Sequence, residues 1–281
     1  MSREQCLPVL LLILLLLPGM ALAQGTYTNI DVPGSTFTYA NGINTSGEVV
    51  GNYSDATGDH GFILSGGVYT TLGYPGAQVT NALGINDKGQ VVGGTLLSSE
   101  SPGFLYDRNT GIFTPVTYSA PGVISSSVLA INNSGTLVGD AYPVDSFEQD
   151  ASGRQRVIRI NGTISVYAGG ISDSGTVFAF YFDKNNFLRD IRWRDGKARA
   201  LNIPEFDAGQ IYGTNPAGTA VAGFVPSYFA FVYQEGATQI LNYPGAYSTG
   251  AYGVNAAGQV VGTYYNTTGG PHGFLWTPPS P

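Results

Sequence analysis

A ten-residue pattern recurs six times along the chain, and no other feature limits its fold as strongly. The first copy, at residues 42–51, reads Gly-Ile-Asn-Thr-Ser-Gly-Glu-Val-Val-Gly. The third residue of the pattern, the anchor, is asparagine in five copies and serine in one: Asn44, Asn86, Asn132, Ser172, Asn215 and Asn255. A glycine stands three residues after every anchor, and successive anchors are 40 to 46 residues apart. Regular spacing of this kind indicates an array of similar supersecondary units.

The pattern itself predicts a β-hairpin. Asparagine bonds to its own backbone in turns, and a glycine three positions later accepts the left-handed conformation that closes a type I turn followed by a bulge. The flanking residues are apolar and β-branched, as at Val49 and Val50. We therefore expect the turn to join a first strand at Tyr39 to Asn44 to a second at Glu48 to Tyr53.

Each repeat continues with two further predicted strands. In the first copy, a variable loop leads to a third strand at Gly61 to Leu64, and Gly66-Gly67 then turns the chain into a fourth at Val68 to Leu72. The chain holds 40 glycines and 18 tyrosines, and only 11% of its residues are charged, which suits many short strands joined by tight turns. Four antiparallel strands per repeat predict an all-β, six-bladed β-propeller.

The two ends of the chain predict how this propeller closes. The sixth copy stops after its third strand, at Trp276, whereas Tyr27 to Gly34 precedes the first copy and is similar to the fourth strand at Tyr69 to Gly76. We expect the N-terminal strand to complete the last blade, because a ring closed in this way has no open sheet edge. A linear solenoid, the alternative, gives no reason to split one unit between the termini.

The repeats resemble a known family. Gly-Ile-Asn-x-x-Gly-x-Val-Val-Gly, followed by His-Gly-Phe at 60–62 and 272–274, is similar to the HAF-type extracellular repeat of bacterial secreted proteins. The second copy has Pro-Gly-Phe at 102–104, and the third to fifth copies lack the histidine. The resemblance covers nearly all of residues 24–281. It implies export and a repeat architecture, and it assigns no catalytic residues.

The first residues read as an export signal. Arg3 precedes an apolar run from Leu7 to Leu17, and Ala21-Leu22-Ala23 offers a cleavage pattern, so residues 1–23 are predicted to be a signal peptide. Residues 24–281 then form a single propeller domain, secreted to the extracellular space or the periplasm. The only cysteine, Cys6, lies within the signal, and no later segment reaches the roughly 20 apolar residues of a membrane span.

The net charge and the missing motifs limit the classes of partner that we expect. A formal net charge of -7 disfavours nucleic acid and anionic membranes, because phosphate binding needs clustered cations. The sequence has no phosphate loop, no dinucleotide fingerprint and no His-Glu-x-x-His motif, so we predict neither a cofactor nor a metal. We expect a monomer whose partner is an extracellular polysaccharide or a cell-surface component.

The loops between second and third strands are the predicted ligand face, since variable loops on a rigid scaffold usually carry function. Their aromatic, acidic and basic side chains suit stacking on sugar rings and bonding to hydroxyls. The candidate residues are Tyr53, Asp59, His60, Tyr142, Tyr181, Asp183, Arg189, Tyr228, Tyr264 and His272. The two histidines are either a metal or acid–base pair or, as we favour, structural residues that bond to the backbone of a neighbouring strand. The divergent fourth repeat is either an active site or a repeat that has drifted.

The recurring residues are explained by turns and packing, which favours a binding or structural module. The alternative is a polysaccharide-active enzyme, a glycoside hydrolase or lyase, with its site on the loop face. Function is grafted onto folds, so the fold alone does not separate these hypotheses. Two carboxylates about 5 to 10 Å apart at the channel mouth favour hydrolysis. A tyrosine, an arginine and a carboxylate that converge favour proton abstraction.

Overall fold

The structure is a computed structural model that describes residues 25–280 except 99, 144, 164, 204–205, 207–208, 226–228 and 268. The predicted signal peptide, residues 1–23, lies outside the described residues. Within the described ranges, every regular element is a β-strand and no helix is present. No helix able to cross a membrane is therefore found among them.

The strands follow one another in the order that the repeats predict, four to a repeat. Numbered along the chain they are β1 (Thr26–Ile30), β2 (Phe37–Ile43), β3 (Val49–Asp55), β4 (Gly58–Ser65), β5 (Val68–Leu72), β6 (Val79–Ile85), β7 (Gln90–Leu96), β8 (Gly103–Asp107), β9 (Ile112–Val116), β10 (Ser125–Ile131), β11 (Leu137–Tyr142), β12 (Asp145–Gln149), β13 (Gln155–Val157), β14 (Val166–Ile171), β15 (Val177–Phe182), β16 (Leu188–Arg194), β17 (Lys197–Ala200), β18 (Gln210–Thr214), β19 (Ala220–Val225), β20 (Phe229–Gln234), β21 (Ala237–Leu241), β22 (Ser248–Val254), β23 (Val260–Tyr265) and β24 (His272–Thr277). Together they form a β-propeller architecture of four-stranded antiparallel blades.

The sheets differ in number from the six separate blades that the sequence predicts. Four sheets have four strands each: β10 to β13, β14 to β17, β18 to β21, and β22 to β24 with β1. The other eight strands, β2 to β9, form one sheet. The physical reason is a single parallel pairing of Asp59 in β4 with Val79 in β6, which joins the strands of the first two repeats.

The Asn-x-x-Gly segments form the predicted turns. In the first repeat, the Gly47 amide donates to the Asn44 carbonyl at 3.0 Å, and Gly47 has a φ of 81°. The Asn44 side chain also accepts the Glu48 amide at 2.9 Å. A residue with a Cβ is strained at such a φ, which explains the glycine in every copy. The hairpin prediction is confirmed.

The anchor asparagines also tie neighbouring repeats together, a role that the sequence analysis did not anticipate. The amide nitrogen Nδ2 of Asn86 donates to the Asn132 carbonyl at 3.0 Å, and that of Asn132 donates to the Ser172 carbonyl at 3.0 Å. Asn44 bonds to the Asn86 carbonyl in the same way at 3.4 Å. Each bond satisfies buried polar groups, which is the condition for burying an asparagine at all.

The hydrophobic core lies between adjacent sheets and depends on a glycine–phenylalanine contact. Phe62 in β4 is fully buried, and a Cβ on the paired Gly51 in β3 would lie 2.7 Å from its ring. The glycine therefore makes room for the ring. In the fourth repeat, alanine replaces this glycine and isoleucine replaces the phenylalanine, and Ala179 pairs with Ile191.

The N-terminal strand pairs with the end of the chain, as the sequence predicts. β1 is antiparallel to β24, with Tyr27 opposite Trp276 and Ile30 opposite Gly273. Ile30 is 2% exposed and packs in a core cluster with residues of β2, β3 and β4. The strand thus contacts both the last repeat and the first.

Candidate functional site

One cavity opens where the first strands of the repeats come together. Its volume is about 450 Å³, within the range of ligand pockets in proteins. Five aromatic side chains line it: Tyr167, Phe180, Phe182, Tyr212 and Tyr252. The remaining side chains around it include two leucines, two amides and one carboxylate: Leu83, Leu129, Asn41, Gln210 and Asp140.

A β-bulge in every first strand directs residues into this cavity. The pairing of first and second strands shifts by one residue in all six repeats, and the skipped residue is always the third before the anchor. A bulge re-aims a side chain while leaving the flanking ladder intact. The six skipped residues, all of which line the cavity, are Asn41, Leu83, Leu129, Gly169, Tyr212 and Tyr252.

The cavity has an aromatic side, built by the fourth, fifth and sixth repeats. Tyr167 and Phe180 stack with ring centroids 5.1 Å apart. Phe180 meets Tyr212 edge to face at 5.9 Å, and Tyr212 meets Tyr252 in the same way at 5.5 Å. Successive rings are in contact, so they form one continuous wall. On the opposite side of the cavity, the first three repeats contribute smaller or polar side chains.

Polar groups on the other side are held in fixed positions. Asn41 donates from Nδ2 to Asn52 Oδ1 and to the Ala82 carbonyl, both at 2.9 Å. The hydroxyl of Ser146 donates to Asp140 Oδ1, and the Ser146 hydroxyl oxygen accepts the amide of Ala168 at 2.9 Å. The Asp140 carboxylate is thereby fixed beside the first strand of the fourth repeat.

Tyr212 and Tyr252 keep their protons at neutral pH. Burial, with smaller contributions from Tyr265 and Tyr212, raises the pKa of Tyr252 to about 12. Burial also raises the pKa of Tyr212, whose hydroxyl donates to Gln210 Oε1 at 2.8 Å. Both hydroxyls therefore remain neutral hydrogen-bonding groups.

A buried carboxylate lies next to the aromatic wall. Asp190 in β16 pairs with Phe180, is 4% exposed, and accepts the Gly209 amide at 2.7 Å through Oδ2. Its other oxygen has no hydrogen-bond partner within the described part of the chain. Burial raises the pKa of Asp190 to about 7, although the Gly209 bond opposes this shift. In the first repeat this position holds Gly61, the glycine of His-Gly-Phe.

A second cavity of about 480 Å³ lies between the fourth and fifth repeats. Phe178 and Tyr233 supply its aromatic side chains, and Arg192 and Glu235 supply opposite charges. It is separate from the strand bulges that line the first cavity.

The structure places the predicted residues of the first repeat beside one another. The Tyr53 ring packs 5.3 Å from the His60 ring, and its hydroxyl bonds to Thr71 at 2.8 Å. His60 Nε2 lies 2.9 Å from the Thr57 hydroxyl, and Asp59 occupies the neighbouring position in β4. Tyr53 is buried, so its position is fixed by packing.

Tyr264 and His272 form the equivalent group in the sixth repeat. Their rings stack at 5.2 Å, and His272 Nδ1 lies 3.1 Å from Asp31 Oδ1. Tyr264 is buried, stacks on Tyr243 at 3.6 Å and donates its hydroxyl to Asn29 Oδ1 at 3.3 Å. Both histidines bond to side chains rather than to the strand backbone that we expected. Within the described ranges, no three His, Cys, Asp or Glu side chains form a group able to hold a metal.

The other predicted residues are more scattered. Asp183 accepts the amides of Asn185 and Phe187 and the Nε of Arg189, which form a local turn. Tyr181 is half-buried against the core of the fourth repeat, and Tyr142 is 66% exposed. Tyr228 lies outside the described residues. None of the nine described candidates lines the 450 Å³ cavity.

The residues that line this cavity were missed although the sequence holds a signal for them. The position three before the anchor varies among the repeats, from Asn41 and Leu83 to Gly169 and Tyr252, while its neighbours keep the repeat pattern. A variable position inside a regular strand is unusual for core packing. Strand alternation does not reveal the bulge that exposes this position, whereas the variable loops are evident in the sequence and were predicted to be the ligand face.

Comparisons with known proteins concern the fold. No protein-family model matches the chain, and no curated protein matches it. A gluconolactonase from Xanthomonas campestris aligns at 13% identity and a TM-score of 0.60, covering 92% of this chain and 91% of that one. An oligogalacturonate lyase in complex with manganese aligns at 12% and 0.54, covering 92% and 94%. TolB from Acinetobacter baumannii aligns at 10% and 0.54, covering 85% of this chain and 54% of that one. At these identities the likeness shows the β-propeller fold alone.

Proposed function

We propose that this chain is an exported β-propeller of HAF-type repeats that works as a binding module, with a carbohydrate ligand in the 450 Å³ cavity. The observation that carries the proposal is the continuous aromatic wall from Tyr167 to Tyr252. Aromatic faces suit the apolar faces of sugar rings, and neighbouring amides and hydroxyls suit their hydroxyl groups. The predicted signal peptide supports an extracellular or periplasmic site of action.

The proposal includes a closed ring of six blades. The eight-stranded sheet then counts as two blades, because only one residue pair joins its halves. The first strands approach closely all round: a Cβ on Gly42 would lie 3.1 Å from Gly84 Cα, and one on Gly253 would lie 3.2 Å from Gly42 Cα. The last contact brings the sixth repeat to the first. The pairing of β1 with β24 supports closure by the N-terminal strand.

Binding is favoured over catalysis by the charges around the cavity. Asp140 is the one carboxylate among its described lining residues, and none of these residues is a lysine, arginine or histidine. Hydrolysis of a glycosidic bond normally uses a pair of carboxylates. Asp190 does not supply the second, because it is buried and is not among the described lining residues. The lining therefore offers contact surface and little acid–base chemistry.

The experiment is a binding screen with turnover measured in parallel. Purified protein without residues 1–23 is tested on a polysaccharide panel by pull-down and calorimetry, and the same mixtures are assayed for reducing ends and for absorbance at 235 nm. We expect binding without turnover. Tyr212→Ala and Tyr252→Ala each remove part of the wall and are expected to weaken binding about tenfold, the effect of losing roughly 1.4 kcal/mol.

Tyr247→Ala is the matched control, since Tyr247 is 63% exposed and does not line the cavity. If it weakens binding as much as the two cavity variants do, the ligand lies elsewhere. Release of reducing ends or unsaturated products would contradict the binding module and support the polysaccharide-active enzyme.

A further inference from the structure

We infer that the 450 Å³ cavity selects carbohydrates that carry a positively charged amino group, with Asp140 as the partner of the ammonium. This inference rests on the proposed function and narrows it to one class of sugar. Three observations on the described lining residues support it: one acidic side chain, the aromatic wall beside it, and no lysine, arginine or histidine among them.

The described charges of the cavity disfavour acidic sugars. A uronate bound there would bring its carboxylate close to Asp140, and none of the described lining residues is a lysine, arginine or histidine. Like charges in a partly dry site repel strongly, so this arrangement selects against anionic ligands. Nine of the twelve lysines and arginines lie between Arg154 and Arg199, and none of them lines the cavity. The chain as a whole carries a charge of -7, which attracts cations to its surface.

The position of Asp140 suits a fixed acceptor. It lies in β11, and its carboxylate is bonded to the Ser146 hydroxyl, which also accepts the Ala168 amide from β14. Tyr167 and Gly169, which flank Ala168 in the same strand, both line the cavity. The carboxylate is therefore tied to the strand that begins the aromatic wall. A hydrogen bond between an ammonium and a carboxylate is about twice as strong as a neutral one.

The aromatic wall favours the same ligand. The rings of Tyr167, Phe180, Tyr212 and Tyr252 line one cavity, and the face of an aromatic ring is electron-rich. A cation near such faces is attracted to them, and the effect grows as water is excluded. A sugar ring has an apolar face for stacking, and its amino group projects from the rim. One ligand thus uses the wall and Asp140 together.

The test compares three oligosaccharides of equal length on the same protein. Glucosamine, N-acetylglucosamine and galacturonic acid tetramers are titrated by calorimetry at about pH 6 and low salt. We expect the glucosamine tetramer to bind at least about tenfold more tightly than the N-acetylated one, and the galacturonate tetramer to bind weakest. Asp140→Asn keeps an acceptor for Ser146 and is expected to abolish the preference for the glucosamine tetramer over the N-acetylated one.

Asp150→Asn is the control, because Asp150 is in the same repeat but caps its own turn through the amides of Ser152 and Arg154. It is expected to keep the full preference. Equal affinities for the amine and N-acetyl tetramers in the parent protein would overturn the inference and leave the proposed function standing. A preference that survives Asp140→Asn would also overturn it. Failure of every sugar to bind would remove the proposed function along with it.

Discussion

The side-chain amide of Asn255 donates to the backbone carbonyl of Asn44 at 3.2 Å, across 211 residues of sequence. The same bond links Asn44 to Asn86, Asn86 to Asn132 and Asn132 to Ser172. Ser172 is too short to continue the series and instead bonds within its own turn, to the Thr176 amide at 3.2 Å. One residue type thus shapes a turn and fastens it to the next repeat.

A serine substitution separates these two roles. Asn255→Ser keeps a side-chain acceptor for the turn, as Ser172 does, and removes the bond to Asn44. We expect a loss of about 1 kcal/mol in the free energy of unfolding, the net value of one hydrogen bond. Asn215→Ser is the matched control, since the Asn215 amide bonds to Thr219 in its own turn. Urea denaturation measures both, and equal losses would mean that the bond between repeats adds nothing.

The contribution of the N-terminal strand to stability can be tested by truncating one buried side chain, Ile30. Ile30→Ala is expected to lower the free energy of unfolding by about 2 to 5 kcal/mol, since Ile30 is buried between β24 and the first repeat. Thr28 in the same strand is exposed, so Thr28→Ala is expected to change the free energy of unfolding by less than about 0.5 kcal/mol. Deletion of residues 27–34 is expected to prevent folding. A deletion variant with the melting temperature of the parent would contradict this role.

Asp190 predicts an unusual dependence of stability on pH. Its pKa is about 7 in the folded protein, against about 3.9 in an unfolded chain. The folded state therefore holds this proton more tightly, so the contribution of Asp190 is most favourable below about pH 4 and is lost as the pH rises through 7. Asp190→Asn removes the buried charge and keeps an acceptor for Gly209. We expect it to raise the free energy of unfolding at pH 8 by roughly 1 to 3 kcal/mol.

A carboxylate with the opposite shift supplies the control for this measurement. Hydrogen bonds from the amides of Phe187 and Asn185, and then the side chain of Arg189, hold the pKa of Asp183 below its usual range. The stabilising contribution of the Asp183 carboxylate is lost as the pH falls. Asp183→Asn is therefore expected to lower the free energy of unfolding at pH 8 and to leave it unchanged in acid. Unfolding curves from pH 4 to 8 that are parallel for the parent and Asp190→Asn would show that Asp190 is not linked to folding.

Tyr252 predicts sensitivity to alkali. With a pKa of about 12 when folded and about 10 when unfolded, it favours the folded state less and less as the pH rises from 10 to 12. Tyr252→Phe is expected to unfold at higher pH than the parent and to lose one late-ionising group from the absorbance titration at 295 nm. Tyr247→Phe changes an exposed ring and is expected to unfold like the parent. Coincident curves for all three proteins would contradict the shift.

The sequence was sufficient for the parts of this fold that depend on local rules. The turn at Asn44 follows from side-chain bonding and the left-handed glycine at 47, and the pairing of Tyr27 with Trp276 follows from a missing strand at one end and an extra one at the other. The long-range role of the anchors did not follow. Nothing local shows that Asn86 reaches the carbonyl of Asn132 46 residues away.

The cavity was less predictable than the fold, because the sequence shows neither the strand bulges that line it nor the packing of the loop tyrosines. Strand alternation alone assigns Tyr212 and Leu83 to no particular face, since each sits at a bulge that breaks the alternation. The loop tyrosines looked better suited to binding, yet Tyr53 and Tyr264 are held inside the sheets by ring contacts and hydrogen bonds. The pairing of Asp59 with Val79, which merges two sheets, follows from no pattern at all.

The bulge in every first strand has an evolutionary consequence. Each repeat offers the cavity one skipped residue outside the ladder of paired residues, so Leu83 and Leu129 can change without the loss of a ladder pair. Asn41 is more constrained by its two hydrogen bonds, and Gly169 is constrained because a Cβ there would lie 2.0 Å from the Ile211 carbonyl oxygen. The lining can thus vary at Leu83 and Leu129 while the frame of the repeats stays constant. Exchange of a single amino acid at Leu83 or Leu129 for a tyrosine would extend the aromatic wall to the opposite side of the cavity.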